Sequence, residues 1–134
     1  MRFRILIGLV TAAALCAATF AVPALAHHSH VNYAVSEFTM LEGTVKEVHL
    51  INPHSWVYIE VQGATGEPAL WALEATGPRG LEGNGIKRVD VKVGDKVKVR
   101  CHRQKDNGNG CLLGFLTPMH GDMARGHGIE KEWD

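Results

Sequence analysis

The chain has no net charge, few cysteines and no long apolar run beyond its first 26 residues. Each of these absences excludes or disfavours a class of function. The 14 basic residues are balanced by 14 acidic ones and are not gathered into a basic stripe. This argues against nucleic acid as a partner. No later stretch could span a bilayer, so we expect no membrane contact once the first segment is removed. The chain has no Gly-x-Ser-x-Gly, no His-Glu-x-x-His, no phosphate-binding Gly-rich loop and no c-haem motif. No catalytic residue is therefore assigned, and an enzyme is the less favoured class.

The first 26 residues have the three parts of a cleaved secretory signal. Arg2 and Arg4 precede an apolar, alanine-rich run, and Ala24-Leu25-Ala26 supplies the small residues before the cut. An uncleaved membrane anchor is the alternative, but the run ends at Pro23 without a basic stop. Cleavage after Ala26 leaves 108 residues starting at His27, with a net charge of −2 because all the acidic residues remain. We therefore expect a periplasmic or secreted protein.

The two cysteines of the mature chain, Cys101 and Cys111, predict a disulfide in an oxidising compartment. A turn signal at 106–110 separates two alternating segments, so a hairpin that pairs the two cysteines also pairs Val99 with Leu113 and Val97 with Phe115. Free thiols, or a thiolate metal site with His102, are the alternatives. A redox-active dithiol is disfavoured because the chain has no Cys-x-x-Cys.

Five segments with β-branched residues or alternation predict strands, at 38–50, 56–61, 69–74, 96–103 and 111–117. Gly43 marks a bulge or bend in the first, and residues 78–82 can form one helical turn after the third. This pattern predicts an all-β fold, a small five-stranded OB-like barrel with a short helical or irregular link after strand three. A small sandwich is the alternative.

The predicted organisation is a signal peptide at 1–26, a barrel domain at 27–117 and a flexible C-terminal tail at 118–134. The tail is rich in glycine, histidine and charge, although Trp133 could pack back onto the barrel. Its thioethers and imidazoles would suit Cu(I), but their spacing matches no closed site. These residues are Met119, His120, Met123 and His127.

The sharpest chemical feature is the new amino terminus, which carries three histidines in its first four residues, His27, His28 and His30. A free α-amine beside an imidazole can chelate copper or zinc, as in copper proteins that use an amino-terminal histidine. His54, which follows Pro53 at the turn into strand two, could supply a further nitrogen from the folded domain. The alternative is a solvated polar arm whose histidines bind metal only adventitiously.

At residues 52–56, Asn-Pro-His-Ser-Trp, the sequence resembles a family of small exported bacterial proteins of unknown function. Further likeness lies in the post-signal His-His-Ser and in Leu-Glu-Gly-Thr-Val at 41–45, Trp-Ala-Leu-Glu at 71–74 and Val-Gly-Asp-Lys-Val at 93–97. The resemblance implies export and a β-rich fold, and it implies no chemistry. The cysteine pair and the Met/His tail depart from the family pattern.

Two functions follow from these features. The first is metal handling through His27, His28 and His54, with His30 in reserve. The second is a non-catalytic periplasmic module that binds a protein, peptide or glycan through an aromatic barrel face, formed by Trp56, Tyr58 and Trp71. Glu74 could act as an acid or base, but no partner carboxylate is identifiable by spacing.

Overall fold

The computed structural model describes residues 29–134, in which most regular structure is β-strand. The strands are β1 (Thr39–His49), β2 (Ser55–Gln62), β3 (Pro68–Ala75), β4 (Lys96–Arg103), β5 (Gly110–Pro118) and β6 (Lys131–Glu132). Helix α1 (Pro78–Gly83) follows β3, as the sequence predicted, and 3-10 turns cover Ser29–Asn32 and Met123–Arg125. No helix of the described range is long and apolar enough to cross a membrane.

Strands β1 to β5 close into a barrel, and β6 lies outside it. The hydrogen-bonded order is β3-β2-β1-β4-β5-β6, and a parallel pairing of β3 with β5 closes the ring. The predicted five-stranded barrel with a short helical link is therefore confirmed, and the sandwich is excluded, because one continuous sheet encloses the core.

Strand β1 belongs to both sides of the barrel because it bends. Its first half, to Thr44, pairs with β4, and its second half pairs with β2. The register shift lies between Val45 and Glu47, just after Gly43, the predicted site of a bulge or bend. Gly43 serves a different need, since a Cβ there would lie 2.6 Å from the Glu60 carbonyl oxygen.

The core is filled by the inward-facing residues of all five strands. Val57 and Ile59 alternate with outward-facing residues on β2, and the same period of two holds on β4. The fully buried apolar side chains are Val45, Val57, Ile59, Leu73, Val97, Val99, Leu113 and Leu116.

The β4–β5 hairpin has a different register from the predicted one, although its disulfide is present. Cys101 and Cys111 are bonded, with their Cα atoms 5.6 Å apart, yet Cys101 lies opposite Leu113 and Cys111 lies opposite Arg103. A further shift between Arg100 and Cys101 places Phe115 opposite Arg100. The bridge is thus diagonal, and Phe115 lies on the outer face rather than on the core face.

The segment after Pro118, predicted as a flexible tail, is folded onto the barrel. Strand β6 pairs with Phe115 and Leu116, and Trp133 is only 2% exposed. The backbone of Trp133 accepts a hydrogen bond from Thr76 and donates one to Gly114. The described domain therefore continues beyond Pro118 to Asp134, and Trp133 belongs to its core.

Candidate functional site

The predicted metal ligands are only partly within the described residues. His27 and His28 lie outside them, so the proposed chelate is not described. His30 lies in the 3-10 turn and is exposed, with its Nε2 3.6 Å from Oδ1 of Asp134. His54 directly precedes β2, and 39% of its side chain is exposed.

A buried carboxylate joins His54 to the segment at 27–36, which we call the arm and of which the structure describes 29–36. Nδ1 of His54 lies 3.0 Å from Oε1 of Glu74, and the hydroxyl of Tyr33 donates a hydrogen bond to Oε2 at 2.6 Å. Glu74 has a side-chain exposure of 9%, and Tyr33 is 3% exposed. The two oxygens of one carboxylate thus hold an imidazole on one side and a phenol on the other. We call Tyr33, Glu74 and His54 the carboxylate cluster.

Strand register places Glu74 on the outer face of the barrel. It lies opposite Trp56 of β2 and Leu112 of β5, whereas its neighbour Leu73 faces the core. Tyr33 covers it from outside. An outward carboxylate is therefore buried by the arm and not by the barrel interior.

Backbone contacts fix the two residues that approach Glu74. The arm is tied to the end of β4 by a bridge between Tyr33 and Gln104 and by a hydrogen bond from Ala34 N to the Arg103 carbonyl. On the other side, a Cβ at Gly77 would lie 2.6 Å from the Pro53 carbonyl oxygen. Glycine at 77 therefore lets the chain after β3 approach the loop before His54.

The hydroxyl of Tyr33 keeps its proton because of its burial and its charged neighbour. Burial, together with the hydrogen bond and negative charge of Glu74, raises the pKa of Tyr33, and the side chain of Gln104 opposes this only in part. Tyr33 therefore stays a neutral donor. A carboxylate 3.0 Å from Nδ1 of His54 favours a proton on that nitrogen, which leaves the lone pair on Nε2.

Both ends of the described range converge near His54. Ser55 N donates to the Thr76 carbonyl, and Thr76 N donates to the Trp133 carbonyl. Asp134, the next residue, faces His30. The arm, the start of β2, the end of β3 and residues 133–134 therefore meet at one end of the barrel.

Most of the other histidines have structural partners. Nε2 of His49 lies 2.8 Å from Glu47, and His102 contacts the Glu37 carbonyl and stacks on Phe38. Among the described residues, no three metal-ligating His, Cys, Asp or Glu side chains converge.

The histidines of the C-terminal segment use their Nδ1 atoms as acceptors. His120 accepts from the backbone N–H of Asp122, and His127 accepts from that of Gly121. The neutral rings therefore carry their protons on Nε2 and present no free lone pair. This arrangement disfavours the Cu(I) alternative for Met119, Met123 and these histidines.

The three predicted aromatic ligand-binding residues do not share a face. Trp56 and Tyr58 point outward, with ring centroids 6.4 Å apart and planes inclined by 23°. Trp71 pairs with the buried Ile59 and belongs to the core, with the Arg103 guanidinium 5.1 Å from its ring centroid. Adjacent strand positions face opposite sides, so an outer aromatic surface contains Trp56 and Tyr58 without Trp71.

Sequence reasoning identified His54 but missed its two partners. The sequence indicates Glu74 only as a possible acid or base without a partner, and it assigns no role to Tyr33. Their hydrogen bond joins positions 41 residues apart, and no local spacing marks it. The available signals were an acidic residue in an otherwise apolar strand and an aromatic residue in a polar arm.

By fold and site, the protein is a small closed β-barrel with a tyrosine–carboxylate–histidine cluster at one end. A family model described as a family of unknown function (DUF6152) matches residues 14–113, and the chain belongs to that family. The predicted membership in a family of unknown function is thereby confirmed, while export stays a prediction. No curated protein and no solved structure matches the chain.

Proposed function

We propose that the protein is exported and binds a copper or zinc ion between its processed amino terminus and His54. The ligands are the α-amine and imidazole of His27, the imidazole of His28 and Nε2 of His54, with His30 in reserve. The role is metal buffering, delivery or sensing in the periplasm.

The observation that carries this proposal is the contact between one nitrogen of the His54 ring and a carboxylate. Nδ1 of His54 lies 3.0 Å from an oxygen of a buried carboxylate, and this is the only polar contact that the described residues give the ring. Metal-binding histidines in proteins commonly have this arrangement, in which one ring nitrogen faces a carboxylate and the other binds the ion. His54 is also half-exposed, so an ion can approach it.

The reach of the arm is compatible with a shared site. Tyr33 lies six positions after His27, a separation that even a fully extended chain spans in at most about 20 Å. The 3-10 turn at Ser29–Asn32 shortens this distance further. The hydroxyl of Tyr33 already bonds the carboxylate that contacts His54. Tyr33 and its hydrogen bond thus keep His27 and His28 within a short length of chain from the carboxylate that contacts His54.

The donor set favours a nitrogen-ligated ion. Both cysteines of the mature chain form the disulfide, so a thiolate site with His102 is excluded while the bridge is intact. An α-amine with an ordinary pKa near 7.7 loses its proton to a strongly bound ion at modest cost. Imidazole and amine nitrogens suit Cu(II) and Zn(II).

The test is a copper titration of protein whose mature terminus at His27 is confirmed by intact mass. We expect one-to-one binding that weakens at least tenfold when one residue precedes His27, and that weakens similarly in His54→Ala. His49→Ala is the matched control, because it removes a barrel histidine that already has a carboxylate neighbour. Equal affinity in the extended and authentic proteins would show that the amine takes no part.

A second candidate is a binding module that uses the outer pair of Trp56 and Tyr58. The two rings lie on one face of β2 and are nearly parallel. This favours the candidate, since flat aromatic surfaces bind sugars and peptide side chains. A partner enriched from periplasmic extract should then be lost with Trp56→Ala and retained with His54→Ala. Loss with His54→Ala alone would assign the partner to the metal site instead.

A further inference from the structure

We infer that Glu74 and Tyr33 are positioning residues of the proposed metal site. Glu74 sets which nitrogen of His54 is free, and Tyr33 fastens the arm that carries the other ligands to the same carboxylate. The inference rests on the proposed function, but its first test needs no metal.

The carboxylate can act as a fixed reference because it is buried. Its oxygens are divided between two partners, with Oε1 at 3.0 Å from His54 and Oε2 at 2.6 Å from Tyr33. Among the described residues, His54 is its only ion-pair partner, so no lysine or arginine competes for its oxygens. Rotation of the carboxylate would break both contacts at once.

This arrangement selects one tautomer of His54. An ionised carboxylate only accepts hydrogen bonds, so a neutral imidazole places its proton on Nδ1 and leaves Nε2 unprotonated. Nε2 then has the lone pair that a metal ion requires. The pair of His49 and Glu47 differs, because both side chains are largely exposed and water competes for them.

Tyr33 extends the same control to the arm. Its neighbours form hydrogen bonds with the end of β4, from Ala34 N to the Arg103 carbonyl and from Lys105 N to the Asn32 carbonyl. The phenol adds the only side-chain link from this arm to Glu74 among the described residues. Contacts at 32, 33 and 34 thus hold the arm in place, a few residues after the proposed ligands His27 and His28.

The first test measures the tautomer of His54 by nitrogen-15 NMR of metal-free protein at pH 7.5. We expect the Nδ1–H form in wild type and the Nε2–H form in Glu74→Gln. The substituted amide keeps an oxygen to accept from Tyr33 and turns its N–H₂ toward Nδ1, which must then accept. Glu60→Gln, on the outer face of β2, is the matched control and should keep the wild-type tautomer.

The second test measures copper affinity and amide exchange in the same proteins. Glu74→Gln should weaken copper binding about 10- to 100-fold, the usual cost of losing such a partner. Tyr33→Phe, which keeps the buried ring, should leave the tautomer unchanged, speed amide exchange at 30–34 and weaken binding less. Thermal unfolding of each variant shows that it is folded.

The outcomes separate the two proposals. An Nε2–H tautomer in wild type, or wild-type copper affinity in folded Glu74→Gln and Tyr33→Phe, would overturn the positioning roles. An Nδ1–H tautomer in wild type that shifts in Glu74→Gln, combined with no tight copper binding by the authentic protein, would overturn the proposed function instead.

Discussion

Trp71 and Trp56 show how the face of a strand on which a residue lies decides whether it packs in the core or is available to a ligand. Trp71 faces the same side as Ile59 and Leu73 and is 8% exposed, whereas Trp56 lies on the outer face beside Tyr58. Because the side-chain period of a strand is two, residues of odd and even register cannot share a surface. Trp71 therefore stabilises the core and is not part of an outer ligand-binding surface.

We expect Trp71→Ala to lower the free energy of unfolding by about 3–5 kcal/mol, as for other buried tryptophans. Trp56→Ala, which removes a half-buried outer ring, should cost about 1 kcal/mol. Urea unfolding followed by far-UV circular dichroism compares the two without depending on tryptophan fluorescence. Equal losses in the two variants would contradict the assignment of Trp71 to the core.

At the same scale, the sequence supplied His54 but not its environment. The order Asn-Pro-His before a strand indicated a residue at the barrel end, and the structure places it there. Glu74 was visible as a polar residue closing an apolar strand. Tyr33 was not predictable, because its contact with Glu74 depends on how the arm crosses the end of β4, which no local pattern encodes.

At the scale of elements, the β4–β5 hairpin separates what alternation can predict from what it cannot. Alternation and the turn signal correctly gave two strands, one turn and both cysteines on the inner side. They could not give the register around the cysteines, since a shift of two residues keeps inward residues inward. They also could not give the irregularity between Arg100 and Cys101, which moves Phe115 to the outer face. The loop decides the register around the cysteines, because Gln104 N donates to Gly110 O and the Arg103 guanidinium binds the carbonyls of Asn107 and Gly108.

The disulfide should stabilise this hairpin by restricting the unfolded chain. Its cysteines are ten positions apart, for which loop-closure entropy predicts about 2–3 kcal/mol. We expect the Cys101→Ala/Cys111→Ala protein to show this loss in urea unfolding. Both sulfurs are buried, so the variant is a better test than added reductant. Equal stability of the two proteins would mean that the bridge contributes nothing.

The whole molecule includes the segment that composition alone marked as mobile. Its glycines at 121, 126 and 128 have positive φ, so they form turns that other residues adopt with strain. Composition cannot distinguish a turn glycine from a linker glycine. The contacts that fold this segment onto the barrel join residues distant in sequence. They are the hydrogen bonds between Thr76 and Trp133 and between Trp133 and Gly114.

Two ion pairs fasten this segment to the loop between α1 and β4. Arg125 binds Asp95, and Nζ of Lys131 lies 2.8 Å from Oδ2 of Asp90. Burial raises the pKa of each aspartate, but hydrogen bonds from the cation and from a backbone N–H outweigh it. The pKa of both carboxyls is therefore held below its ordinary value.

A carboxyl whose pKa is lower in the folded state stabilises the fold above its unfolded pKa, and this stability is lost as the pH falls through the folded value. We therefore expect wild-type stability to fall below about pH 4, with amides of 131–133 exchanging first. Asp95→Asn should cost about 2 kcal/mol at pH 7 and flatten this acid-dependent loss, because its side chain cannot titrate.

Urea unfolding at pH 7, 4 and 3 checks this, with hydrogen exchange at 131–133 as the local measurement. Glu67→Gln, in the exposed loop between β2 and β3, is the control and should follow the wild-type curve at every pH. If the Asp95→Asn curve ran parallel to wild type down to pH 3, the Asp95–Arg125 pair would not be what holds this segment in acid. A flattened Asp95→Asn curve together with early exchange at 131–133 in wild type would assign the acid sensitivity of this segment to the Asp95–Arg125 pair.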